Sequence, residues 1–125
     1  MKEFPIQILE LCRSLLKKRG NEGVYRTIIA RSYYAALLYA ALWIDENHKK
    51  VDWNRKRLHQ FVPSHIGQYL PDEYRKTIPA FIHSLRKMRE DADYQPAFDI
   101  EKEEAVKAFK KAEYIISVLQ SLQKS

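Results

Sequence analysis

The sequence predicts an all-α fold, a bundle of four long helices with a broken helical segment between the second and the fourth. Three observations carry that expectation. Apolar residues recur every three or four positions over long stretches of the chain. No stretch shows the alternation of a half-buried strand. The 125 residues include only three glycines, too few for an all-β protein built on many tight turns.

Phe4, Ile8, Cys12 and Leu15 set a first helix over about residues 4–18. "RGNEG" ends it, since Gly20, Asn21 and Gly23 suit a C-cap and turn. The second helix, over about residues 24–46, is apolar on most of its circumference from Ile28 onward, which places it in the middle of a bundle or at a subunit contact. The polar connection "HKKVDWNRK" leads to Leu58, Phe61, Val62, Ile66 and Tyr69 at helical spacing. Pro63 lacks a backbone donor and so predicts a short helix up to Val62 and another starting at Pro63. Pro71 and Asp72 offer a helix start, and Ile78, Phe81, Ile82, Leu85, Met88 and Ala92 form one apolar face of a helix ending near Asp93. Pro79 would sit inside it, which predicts a kink or a start nearer Ile78. "QPAFD" is a loop, and Asp99 is the expected N-cap of the last helix. The first turn of that helix is acidic at Glu101, Glu103 and Glu104, and its buried side runs through Ala105, Phe109, Ala112, Ile116 and Leu119.

With 46% hydrophobic and 30% charged residues, the chain fits one compact globular domain over residues 1–125. The single cysteine, Cys12, has no partner for an internal disulfide and sits among Ile8, Leu9, Leu11 and Leu15 as a core residue. Met1 to Pro5 lacks the basic start and apolar run of an export signal, so a cytoplasmic protein is expected. Ile28 to Ile44 approaches membrane-spanning length, but Arg31 and Ser32 interrupt it, and a buried core helix explains it better than a bilayer. The net charge of +6 is uneven: "HKKVDWNRKRLH" sets five Lys/Arg against one Asp, with Trp53 among them. That patch could meet RNA phosphates or an acidic partner, although a solvated basic loop accounts for it equally well. His48, His59 and His65 show neither i, i+4 pairing nor neighbouring cysteines, so no zinc site is expected. No cofactor is expected either, since the chain has no phosphate-binding glycine loop, and no Ser/His/Asp arrangement stands out.

The anomalies are charged. Arg31 lies inside the most apolar helix, where a guanidinium must snorkel to an edge or meet a carboxylate. At 100° per residue, Arg86, Arg89 and Asp93 fall on one edge of the apolar face of their helix, beside Ile82. This edge is expected to pack near Arg31 and Tyr34, giving a polar cluster between the two central helices.

Three separated motifs carry a family resemblance. "YRTIIARSYYAALLYA" gives YR and then R, a small residue and YYA; "LRKMREDADY" gives R, two residues and ADY; "FDIEKEEAVKAFKKAEYII" opens the last helix with an acidic EEA. Over about residues 20–120 this resembles the HEPN domain, in particular the small stand-alone HEPN proteins of prokaryotes. The resemblance implies an up-and-down bundle of four to five helices that dimerises through its long helices, with a cleft at the dimer contact. Many relatives are RNA-cutting toxins or defence proteins, some paired with a minimal nucleotidyltransferase antitoxin that can modify a tyrosine of its HEPN partner. Ribonuclease members carry an arginine followed, after four to six residues, by a histidine, and need no metal.

This sequence departs from that pattern. From Arg86 the histidine would fall at Asp91, Ala92 or Asp93, and from Arg89 at Tyr94, Gln95 or Pro96. Asp93 could in principle act as base, but beside Arg89 it would be ion-paired and feeble near neutral pH. His83 precedes Arg86 by one turn in the reversed order, and His59 reads more simply as a polar spot on a short helix than as a group facing the cleft. The candidate catalytic residues are therefore Arg86, Arg89 and Asp93, and the candidate binding residues Arg31, Tyr34 and Tyr94. The expected role is a homodimer that binds RNA, a nucleotide or a cognate protein in a toxin-antitoxin or defence pair. An endoribonuclease with a non-standard base and a helical adaptor, whose arginines only make i, i+4 pairs, are the alternatives.

Overall fold

The computed structural model describes residues 3–122, apart from the side chain of Arg55. Five α-helices follow one another: α1 Glu3–Leu16, α2 Glu22–Asn47, α3 Arg55–His65, α4 Thr77–Tyr94 and α5 Lys102–Ser121, with 3₁₀ turns at Ile66–Tyr69 and Asp72–Tyr74 between α3 and α4. No strand occurs among the described residues. The fold is the all-α bundle that the apolar spacing predicts.

Helix α2 is the axis, packed against α1, α3, α4 and α5. Ala35, Ala36, Ala40 and Ala41 are fully buried, and side chains this small let neighbouring helices approach closely. Tyr33, Tyr39, Trp43, Ile28, Ile29 and Ile44 fill the remaining circumference. Each large aliphatic side chain buried here is worth roughly 1.5–3 kcal/mol. By length and composition α2 could cross a membrane, yet 67% of its apolar window is buried inside the fold, as in a core helix. Cys12 packs under α2 with its thiol 3.8 Å from the carbonyl of Ile28. Burial pushes its pKa up, against smaller lowering effects of Ser32 and Arg31.

Several helix ends differ from the sequence expectation. No glycine between α1 and α2 takes a positive φ. Asn21 instead caps the start of α2, accepting from the backbone N–H of Val24 at 3.0 Å. Gly20 is small because the Tyr25 ring lies over it, where an added Cβ would come within 2.8 Å of the ring. Asp99 does not cap α5. Glu101 does, through a capping box in which the Glu104 carboxylate accepts from the Glu101 N–H at 2.8 Å. Pro79 occupies the first turn of α4, where the first intrahelical bond runs from Ala80 N–H to the Lys76 carbonyl at 3.2 Å. Its missing donor is therefore one the helix would not have used.

Pro63 does not break α3. A proline deprives the carbonyl four residues earlier of its donor, here that of His59. Arg86 reaches across from α4 and donates to that oxygen from Nη1 at 3.4 Å. The helix is then free to continue to His65, because the orphaned acceptor has found a partner on another helix.

Candidate functional site

Helices α2, α3 and α4 converge where the Tyr33–Tyr34 pair of α2 faces His59 of α3 and the second half of α4. Arg89 stands at the centre, 9% exposed, and is with Ser32 one of two buried polar residues among those described. Its Cζ lies 5.6 Å from the Tyr33 ring centre, 5.7 Å from that of Tyr34 and 5.9 Å from that of Tyr94. Its ion pair with Asp93 is long, 3.8 Å, and its Nε is buried without a hydrogen-bond acceptor. Tyrosine faces stabilise a guanidinium by about 0.5–1 kcal/mol each at exposed sites and more when desolvated, which partly offsets its burial.

One turn earlier, Arg86 joins α4 to α3 through the His59 carbonyl, and its Nε lies 3.3 Å from Glu90. With Lys87 and Asp91 at 3.2 Å, residues 86–93 form a ladder of three i, i+4 pairs. The stretch is thereby electrically neutral. Any anion held there meets donors at contact distance rather than a long-range field.

His59 is fixed from behind. Its Nδ1 is 2.6 Å from the Tyr33 hydroxyl, and the two rings stack at 5.6 Å between centres with 15° between planes. Burial, followed by the charges of Arg86 and Arg89, lowers the His59 pKa. Burial likewise pushes the Tyr33 hydroxyl up to about 12. Near neutral pH both are therefore uncharged. The buried Tyr33 hydroxyl proton would be stranded unless Nδ1 accepts it, at a cost of about 1–3 kcal/mol. Nδ1 is then the acceptor, and Nε2 carries the hydrogen.

That linkage has a measurable sign. An unfolded tyrosine loses its proton near pH 10, whereas folded Tyr33 keeps its proton to about 12. Stability contributed by Tyr33 is complete below pH 10 and falls as pH rises through that window, by up to roughly 2–3 kcal/mol. Urea unfolding of Tyr33→Phe between pH 9 and 12 should show a shallower decline than the wild type, and parallel declines would disprove the assignment.

The structure brings together most of the residues singled out from the sequence. Tyr34, Arg89, Asp93 and Tyr94 adjoin one another, and Arg86 is tied in through His59. Tyr94 ends α4 at 69% exposure. Arg31 lies outside the cluster and makes no ion pair among the described residues. It is exposed, on the side of α2 where Arg31, Tyr34, Leu37 and Leu38 line an open groove of about 490 Å³ with Phe4, Ile8, Leu58 and His59. Its guanidinium needs no carboxylate because α1 and α3 leave this side of α2 uncovered. His83 is exposed, and the polar partners of Arg86 are the His59 carbonyl and Glu90.

His59 and Tyr33 are the members that spacing arguments undervalued. The signal was present in Pro63, four residues after His59, which leaves a carbonyl for another helix to claim. Of the other histidines, His48 stacks on Tyr69 at 4.5 Å and meets Trp43 at a tilt at 4.8 Å, and His65 stacks on Phe61 at 4.3 Å. Glu101, Glu103 and Glu104 gather their carboxylates within 4.8 Å, but two of them already close the start of α5. In the basic segment, Asp45 takes Lys50 at 3.6 Å and Asp52 takes Arg57 at 2.9 Å, which fits a solvated loop.

A family model described as "HEPN domain" matches residues 10–122. No curated protein and no solved structure matches the chain significantly.

Proposed function

The chain belongs to the HEPN domain family, and on that premise we propose that it is the RNA- or nucleotide-binding member of a toxin-antitoxin or defence pair, working as a cytoplasmic homodimer. A ligand phosphate meets Arg89 and Arg86, and Tyr34 and Tyr94 flank the attached ribose or base. Arg31 stands at the neighbouring groove, within reach of the next phosphate. A minimal nucleotidyltransferase is the expected partner, and Tyr94 is the hydroxyl it would reach.

One observation carries this reading. Arg89 is held almost dry, between tyrosine rings, with an acceptorless Nε and a carboxylate no nearer than 3.8 Å. A buried guanidinium with such weak compensation is costly, and a phosphate supplies the short, paired acceptors that Asp93 does not.

His59 favours a second reading, a metal-independent endoribonuclease, because an uncharged imidazole beside Arg86 could stand in for the missing family histidine. The Tyr33 hydrogen bond counts against it. With Nδ1 occupied and Nε2 protonated, the ring offers a donor to a ligand and no lone pair to a ribose hydroxyl. Binding is accordingly the better supported role.

The test is incubation of the purified protein with total RNA and a labelled single-stranded RNA in EDTA, beside Arg86→Ala/Arg89→Ala. Salt-sensitive binding by the wild type, weakened at least about ten-fold in the double variant and without cleavage, is the expected result. Cleavage by the wild type alone would hand the site to the endoribonuclease reading, and equal binding by both proteins would remove these arginines from any function.

A further inference from the structure

A second feature, on another face of α4, is unused by the site around Arg89. Lys107, Lys110 and Lys111 occupy i, i+3 and i+4 positions of α5, where like charges repel one another. No ion pair holds any of the three among the described residues. Of the nearest acids on α5, Glu104 closes the capping box and Glu113 pairs with Arg13 at 2.9 Å, while exposed Glu103, four residues before Lys107, makes no ion pair with it among the described residues.

These lysines border an open groove of about 490 Å³ between α4 and α5, whose other walls are Thr77, Phe81 and Tyr114. Lys111 Nζ sits 4.4 Å above the Phe81 ring, and Phe81 meets Tyr114 edge to face at 5.4 Å. Tyr114 remains 38% exposed, so an aromatic surface stands open among three ammonium groups. A repulsive lysine cluster is destabilising in itself, and an aromatic left open beside it gains little from the fold. Both make sense if something anionic and flat settles there.

We propose that the α4–α5 groove is a second binding surface, which takes single-stranded nucleic acid by stacking a base on Tyr114 and holding the adjoining phosphates with Lys107, Lys110 and Lys111. Charge complementarity selects the occupant: unpaired cations interleaved with aromatics fit a chain that alternates phosphates and π-faces. An acidic peptide matches only the lysines. The surface is independent of the site around Arg89. The neutral ladder at residues 86–93 exerts little field, and this groove gives the chain's excess of +6 one place to act over distance.

The test is fluorescence anisotropy of a labelled 20-mer oligouridylate, titrated at several salt concentrations. Lys107→Gln/Lys110→Gln/Lys111→Gln should weaken binding at least about ten-fold and flatten the salt dependence by about 2 logarithmic units per decade, since each single-strand phosphate contact contributes about 0.7. Tyr114→Ala should weaken it roughly five-fold or more, and Tyr114→Trp should preserve it. All these positions are at least partly exposed, so the variants should stay folded, and the triple lysine variant should unfold at or slightly above the wild-type temperature because the repulsion is relieved. Arg89→Met, with its lysines intact, should keep most of the salt dependence, which separates failure of this surface from failure of the Arg89 site. Wild-type binding by the triple variant would overturn the proposal. So would indifference to Tyr114→Ala together with equally lysine-dependent binding of poly-glutamate, which would assign the surface to an acidic protein instead.

Discussion

Arg26→Ala is expected to lower the unfolding free energy by about 3 kcal/mol, a fall of roughly 10 °C in Tm for a chain of this size. From α2, its Nη1 donates to the carbonyls of Ala92 at 2.7 Å and Asp91 at 3.4 Å, and its Nη2 to those of Phe98 at 2.6 Å and Gln95 at 3.2 Å. Its Nε bonds Glu22 at 2.8 Å. The last carbonyls of a helix have no intrahelical partner. Here one guanidinium satisfies the Ala92 and Phe98 carbonyls and adds a second donor to those of Asp91 and Gln95, which already accept the backbone N–H groups of Gln95 at 3.0 Å and Phe98 at 3.1 Å, and this fixes how α4 leaves the bundle and turns towards α5. Arg26→Lys should recover little, because a single ammonium cannot present the same fork. Urea unfolding of the three proteins checks this, and a loss below about 1 kcal/mol in Arg26→Ala would show that the loop holds itself.

Replacing Arg89 should do the opposite. Arg89→Met keeps the volume and removes a buried charge whose carboxylate is distant, so stability should stay within about 1 kcal/mol of the wild type or rise. Affinity for single-stranded RNA should fall at least about ten-fold, since a charge-assisted phosphate contact is lost. A variant that folds as well and binds as well would make Arg89 a packing residue. One that unfolds would give the arginine a structural role through its tyrosine neighbours.

These two arginines mark what the sequence discloses and what it does not. Apolar spacing identified the helices because burial imposes the period directly, and α2 was recognisable as the axis from its continuous apolar circumference. Ends were harder to read. Asp99 and Glu101 are both plausible caps, and only the reciprocal bond from Glu104 decides between them. Pro63 misled as a breaker because a break depends on whether the orphaned carbonyl finds a donor, and its donor lies on another helix. The candidate site was legible on α4, where Arg86, Arg89 and Asp93 share an edge by helical arithmetic alone. His59 was not, because its meaning depends on contacts with Tyr33 and Arg86, 26 and 27 residues away along the chain. The YR motif marked a position, but only the fold makes its arginine the clamp on α4.

The most direct measurement is an NMR titration of ¹⁵N-arginine-labelled protein with a short single-stranded RNA in EDTA, following the guanidinium resonances of Arg89. The account predicts a saturable shift of the Arg89 Nε–Hε signal, together with Arg86, at the concentrations where RNA binds. RNA binding that saturates while the Arg89 signal stays in place would contradict it.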